Sequence, residues 1–158
     1  SSHRRQRQMC IRDSGYAALA GGAFTPDLYN CVVAVAGVSD LHAMLRYEED
    51  RYGVDSMPYR YWVDQFGRDG VEPEDLAPRS AAMHAEAFQA PVLLLHGEDD
   101  LIVPDEQSEI MAEALEAAGK YYEIRTFPGQ NHSILDEGSR EGVLQEIITF
   151  VNTHIGSN

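Results

Sequence analysis

Two side chains in this sequence have the types and spacing to work as an acid–base pair. Asp100 follows an apolar run, Val92-Leu93-Leu94-Leu95, that breaks into His96-Gly97-Glu98-Asp99. Carboxylates just past the carboxyl end of a buried strand stand where open α/β sheets place their chemistry. His132 lies between polar Asn131 and Ser133, in the loop after the next strand pattern. An imidazole oriented by a carboxylate takes a proton from a hydroxyl and later returns it to a leaving group. Alone, His132 reads as an exposed loop histidine, and Asp100 as one acid of an acidic turn. Together, each after its own strand and in the order acid then base, they point to two members of a catalytic triad. His96, between Leu95 and Gly97, reads as a structural residue that positions the turn. Glu98 and Asp99 read as solvated or turn-forming.

The elements that must hold this pair follow from periodicity. Cys31 to Ala36, CVVAVA, is a continuous apolar run of strand length, and Val92 to Leu95 is a second. Such runs suit strands buried on both faces, as in a parallel sheet. Tyr121 to Phe127 alternates, so it predicts a third strand with one wetter face near the sheet edge. A helix is expected from Pro104 to Ala118, with Pro104, Asp105 and Glu106 suiting its first turn. Its stripe is Ile110, Met111, Ala114, Leu115 and Ala118, and Gly119 is its stop. The last helix is expected over 139–154, and a short small-residue helix over Gly15 to Ala23. Asp40 is an expected N-cap for a helix through Leu41, Met44 and Leu45. The region from Tyr47 to Met83 reads as irregular and aromatic-rich, with a short helix opened by Pro58. It is either a cap over a pocket or simple packing. Strand and helix alternate throughout, which predicts a three-stranded parallel sheet with helices on its faces, an α/β fold. If the strand at Cys31–Ala36 lacks a second neighbour, it leaves a long apolar edge. The sequence therefore reads as the carboxyl-terminal part of a larger α/β domain.

Composition narrows the function classes. The chain has 158 residues, a length that suits one domain with a core. A net charge of −14 argues against binding a phosphate backbone or an anionic membrane surface. No apolar run approaches the roughly 20 residues needed to span a bilayer. The start has no apolar segment of signal-peptide type. Cys10 and Cys31 make neither a disulfide framework nor a metal set, and Cys31 is expected to be an inert buried thiol. No cofactor, nucleic acid or membrane partner is expected. A bacterial compartment, cytoplasmic or periplasmic, is expected.

Residues 1–14, SSHRRQRQMCIRDS, stand apart. They hold Arg4, Arg5, Arg7 and Arg12, against 12 basic residues in the whole chain, and show no periodicity. A basic tail for nucleic acid conflicts with the acidic domain behind it. The stretch resembles translated sequencing-adapter read-through, so it is read as non-native or disordered and left out of the fold.

HGEDDLIVPDEQS, His96 to Ser108, resembles the acid-bearing motif HGxxDxxVPxxQS of the prolyl oligopeptidase family of serine peptidases. FPGQNHSI resembles that family's histidine loop. RSAAMHAEAFQAPVLLLHG (Arg79 to Gly97) and GYAALAGGAFTPDLYNCVVAVAGVSDL (Gly15 to Leu41) are also similar to the family, so the resemblance runs from Gly15 nearly to the end. It implies a partial α/β-hydrolase fold, with Asp100 as catalytic acid and His132 as base. It also implies peptide substrates, cleaved near their amino terminus through an acyl-enzyme. The family's aromatic-lined pocket would draw on Val38, Leu41, Met44, Tyr47 and Tyr52.

The nucleophile is where this sequence departs. The family's elbow reads GxSxGGYA, and aligning Gly15-Tyr16-Ala17 on its end puts Arg12 in the serine register. Arginine is no nucleophile. Ser14 is two residues out of register, on what should be the first turn of a helix. The chain is therefore expected to lack its nucleophile and to show no peptidase activity alone. An esterase of the same fold is the second enzyme reading. A doubly wound binding or signalling domain is the rival from another class, but the only lysine, Lys120, lies at a helix end.

Overall fold

A computed structural model describes residues 14–67, 69–134 and 139–155. Helix α1 (Ser14–Phe24) leads through a short turn into strand β1 (Val32–Val35). Helices α2 (Leu41–Tyr52), α3 (Met57–Phe66) and α4 (Pro73–Leu76) follow, then two 3-10 segments, Ala77–Arg79 and Ala81–Ala87. Strand β2 (Val92–Gly97), helix α5 (Glu106–Ala117), strand β3 (Tyr122–Phe127) and helix α6 (Arg140–Ile155) complete the order.

The three strands form one parallel sheet in the order β1-β2-β3. Val35 pairs with Leu95, and β2 and β3 run in register to Gly97 opposite Phe127. Because β2 and β3 end together, the segments that leave them emerge at one edge. Every residue of β2 is buried, as its unbroken apolar run requires. Val92 and Leu94 face α1, α5 and the 81–88 segment, where Leu19, Phe88, Met111 and Leu115 pack. Leu93 and Leu95 face α6, through Val143, Ile147 and Phe150. Alternate β2 side chains thus fill two cores, one on each face of the sheet. β3 is only partly buried, in keeping with its alternating sequence and outer position. Among the described residues β1 pairs on one side only.

Several boundaries differ from the sequence reading. β1 stops at Val35, because Ala36 takes a left-handed φ of 48°. Cys31 precedes the strand and is partly, not fully, buried. α5 starts at Glu106 instead of Pro104, since Pro104 and Asp105 spend their carbonyls on a tight turn to the amides of Gln107 and Ser108. The region expected to be irregular carries three helices. Asp40 caps α2 through the Ala43 amide as expected, but α2 runs on to Tyr52. Most of the aromatics of this region are partly buried. Tyr47, Tyr59, Trp62 and Phe66 pack on a third cluster of Val38, Leu41, Met44, Leu45, Leu76 and Val103. Val38, Leu41 and Met44, read as pocket candidates, are at most 5% exposed and belong to that packing.

α1 approaches the sheet closely at its start. A Cβ on Gly15 would fall 2.5 Å from the Cα of Gly37, so the small residues GYAALAGGA are what the helix needs to sit there.

Candidate active site

The acid turn is built by its own backbone. The Asp100 amide closes on the Gly97 carbonyl at 3.2 Å. Asp100 Oδ1 then accepts the amides of Ile102 and Val103, each at 2.9 Å. A short acidic side chain that binds amides two and three residues on is a self-made turn. It explains why the chain can leave a buried strand and dive back at Val103, which is buried.

His132 arrives from the other side. The loop after β3 turns at Gly129, with φ 71°. Two backbone bonds stitch it to the acid turn: the Glu98 amide to the Phe127 carbonyl at 3.1 Å, and the Asp99 amide to the Gln130 carbonyl at 2.9 Å. Gly97 makes this approach possible, because a Cβ there would fall 2.3 Å from the Gln130 carbonyl oxygen. Ile134, 1% exposed, anchors the loop under α6.

The two side chains meet. His132 Nδ1 lies 2.7 Å from Asp100 Oδ2. The Asp100 side chain is wholly buried, while that of His132 retains 12% of its exposure. An ionised carboxylate only accepts, so Nδ1 carries the proton and donates it. His132 Nε2 is left as the basic nitrogen. Burial pushes the Asp100 carboxyl up, but hydrogen bonds from His132 and the Val103 amide, and the nearby His96 imidazole, outweigh it. The two hydrogen bonds, with the His96 imidazole 3.5 Å away, hold the group well below the usual carboxylate range.

His96 supports the turn as expected. It is fully buried, with Nε2 2.8 Å from the Val103 carbonyl and Nδ1 2.7 Å from Ser108 Oγ. Glu98 and Asp99 are exposed, and Glu98 accepts a hydrogen bond from Thr126. The sequence reading assigned no task to Gln107 or Ser108, although both fall in the quoted HGEDDLIVPDEQS motif. Gln107, 1% exposed, accepts the amides of Ser39 and Asp40 at 2.9 Å and so ties the β1–α2 connection to α5. Polar residues on the buried side of a helix start were the available signal. Tyr47 donates to the Leu101 carbonyl at 2.9 Å, which rests α2 on the acid turn. Ser14 is the first residue of α1, as its offset from the elbow implied. Arg12, in the nucleophile register, lies outside the described residues.

The model of the prolyl oligopeptidase family matches residues 14–158. Dipeptidyl aminopeptidase BIII of Pseudoxanthomonas mexicana is 28% identical over 127 residues, 75% of this chain and 17% of that protein. Acyl-protein thioesterase 1 of Gibberella zeae is 43% identical over 49 residues, 31% of this chain and 21% of the thioesterase. Among solved structures, a Mycobacterium tuberculosis puromycin-hydrolyzing peptidase superimposes with a TM-score of 0.79 at 28% identity. That match covers 94% of this chain and 22% of the peptidase. The chain thus spans about a fifth of the length of these relatives, and its three strands are part of an α/β-hydrolase fold.

Proposed function

This chain belongs to the prolyl oligopeptidase family, and from that premise we propose that residues 15–158 form the carboxyl-terminal part of a serine-peptidase catalytic domain. They supply its acid, Asp100, and its base, His132. The observation that carries the reading is the 2.7 Å contact between His132 Nδ1 and the buried Asp100 Oδ2.

The chemistry follows from that contact. Asp100 keeps His132 in the tautomer that leaves Nε2 free to take a proton from a serine hydroxyl. As the serine attacks a peptide carbonyl, the imidazolium that forms is stabilised by the neighbouring carboxylate. The same Nε2–H then protonates the leaving amine, and water attacks the acyl-enzyme by the reverse route. The substrates are short peptides cut near their amino terminus.

In the elbow register the serine position is held by Arg12, which is no nucleophile. Ser14, at the start of α1, is out of register. The chain alone is therefore inactive. The test is hydrolysis of dipeptidyl and acylaminoacyl arylamides by the purified chain, with and without an active-site serine inhibitor. No inhibitor-sensitive turnover is expected, and measurable turnover would overturn the assignment of the missing serine. The thioesterase relative favours an esterase as the second reading. The same panel with aryl esters, run on a form of the protein carrying the GxSxGG elbow, separates the two: a peptidase cleaves the arylamides.

A further inference from the structure

His96 has more to do than shape a turn. It is buried to 0% exposure and Ser108 to 2%, so their polar atoms must satisfy each other. The Val103 carbonyl, 2.8 Å from His96 Nε2, can only accept. Nε2 therefore carries a proton. In the neutral ring Nδ1 then accepts, and its partner at 2.7 Å, the Ser108 hydroxyl, is able to donate. The same Nε2 lies 3.5 Å from Asp100 Oδ2, the oxygen that His132 binds. Val103 closes the ring: its carbonyl accepts from His96 while its amide donates to Asp100 Oδ1. One carboxylate oxygen is thus held by two amides and the other is flanked by two imidazoles.

We propose that His96 and Ser108 are positioning residues for the acid: the Ser108 hydroxyl locks His96 as the neutral Nε2–H tautomer, and that N–H, donated to the Val103 carbonyl and 3.5 Å from Asp100 Oδ2, holds the Val103 turn that fixes the Asp100 carboxylate toward His132. The inference rests on the Asp100–His132 reading above. A neutral His96 leaves the whole carboxylate charge to His132, whereas an imidazolium at His96 would divide it. Asp105 and Tyr47 are the other titratable groups near this pair. Neither carries a hydrogen bond into the ring that closes through Val103.

The test is NMR on the 158-residue chain labelled with 15N. Long-range proton–nitrogen correlations at pH 7 should give His96 the Nε2–H tautomer, and His132 a downfield Nδ1–H resonance. His96→Leu removes the donor and should cost that resonance. His96→Gln puts an amide N–H in the place of Nε2–H and should keep it. Ser108→Ala should redistribute the His96 tautomers. An imidazolium or an Nδ1–H tautomer at His96 overturns the proposal, as does a His132 resonance indifferent to His96→Leu or lost equally in His96→Gln. If His96→Leu fails to fold, the wild-type tautomer and Ser108→Ala decide alone. Asp100→Asn is the control. A His132 resonance that survives it sinks the Asp100–His132 reading, whereas loss there combined with indifference to His96→Leu sinks only this one.

Discussion

The acid turn and the histidine loop touch, yet they are held in different ways. Asp100 is pinned by amides two and three residues along its own chain, beneath a strand that is buried throughout. His132 comes from a polar loop after a half-exposed strand, and its placement depends on what it reaches. The acid turn is a local structure and the histidine loop a borrowed one. A site made this way has one rigid reference, the carboxylate, against which the imidazole is aligned.

The largest effect should come from removing the reference. In a form of the protein carrying the serine, Asp100→Asn should lower kcat by roughly 10⁴-fold, because the amide turns the imidazole to the wrong tautomer. Arylamide turnover measures this, and a loss below tenfold would refute the triad role.

Stability should separate the two arms. Asp100→Ala strands the Ile102 and Val103 amides and two imidazoles, so about 3–5 kcal/mol should be lost in urea unfolding. His132→Ala leaves Asp100 Oδ1 on its two amides but strips Oδ2 of its hydrogen bond, and should cost about 1–3 kcal/mol. Equal losses would erase the distinction between a self-built turn and a dependent loop.

The seam between the arms comes next. Gly97→Ala puts a methyl group against the Gln130 carbonyl, and backbone cannot swing aside as a long side chain does. About 1–3 kcal/mol should be lost, together with the His132 Nδ1–H resonance. An unchanged unfolding midpoint would mean the loop is not seated on the turn.

A pH series sharpens the same point. The folded Asp100 carboxyl titrates below its ordinary value of 3.8, so its contribution to stability is present in full above that value. It is lost as the pH falls through the lower, folded-state value. Glu48 runs the opposite way, because burial raises its carboxyl above 4.5. Its stability contribution is greatest below that ordinary value and falls as the pH rises through the raised one. Asp100→Asn should flatten the acid limb of the stability curve, and Glu48→Gln the limb just above pH 4.5. Unfolding midpoints between pH 2 and pH 7 would read both, and parallel curves for all three proteins would refute the assignment. The smallest effect belongs to the rim. Glu98→Ala removes an exposed bond to Thr126 and should change stability by less than about 0.5 kcal/mol.

Much of the fold was legible because two runs, at 31–36 and 92–95, are too apolar to be anything but buried, and because helix patterns alternate with them. The boundaries were less so. The strand end at Ala36 and the late start of α5 are set by backbone turns that periodicity does not register. Residues 41–80 were the least legible, since their apolar and aromatic residues pack on one another over several short helices and leave no single long stripe.

Sequence alone determined which residues stand at the carboxyl ends of which strands, and so singled out Asp100 from Glu98 and Asp99, and His132 from the other histidines. Those choices rest on order, residue chemistry and the likeness of His96 to Ser108 to the HGxxDxxVPxxQS motif, all of which are read from the chain. Only the tertiary structure decided that Asp100 is wholly buried, that His96 and Ser108 close a polar ring behind it, and that Gly97 lets the two loops meet. Hydrogen-bond partners and desolvation depend on what lies across space, and no spacing along the chain specifies them.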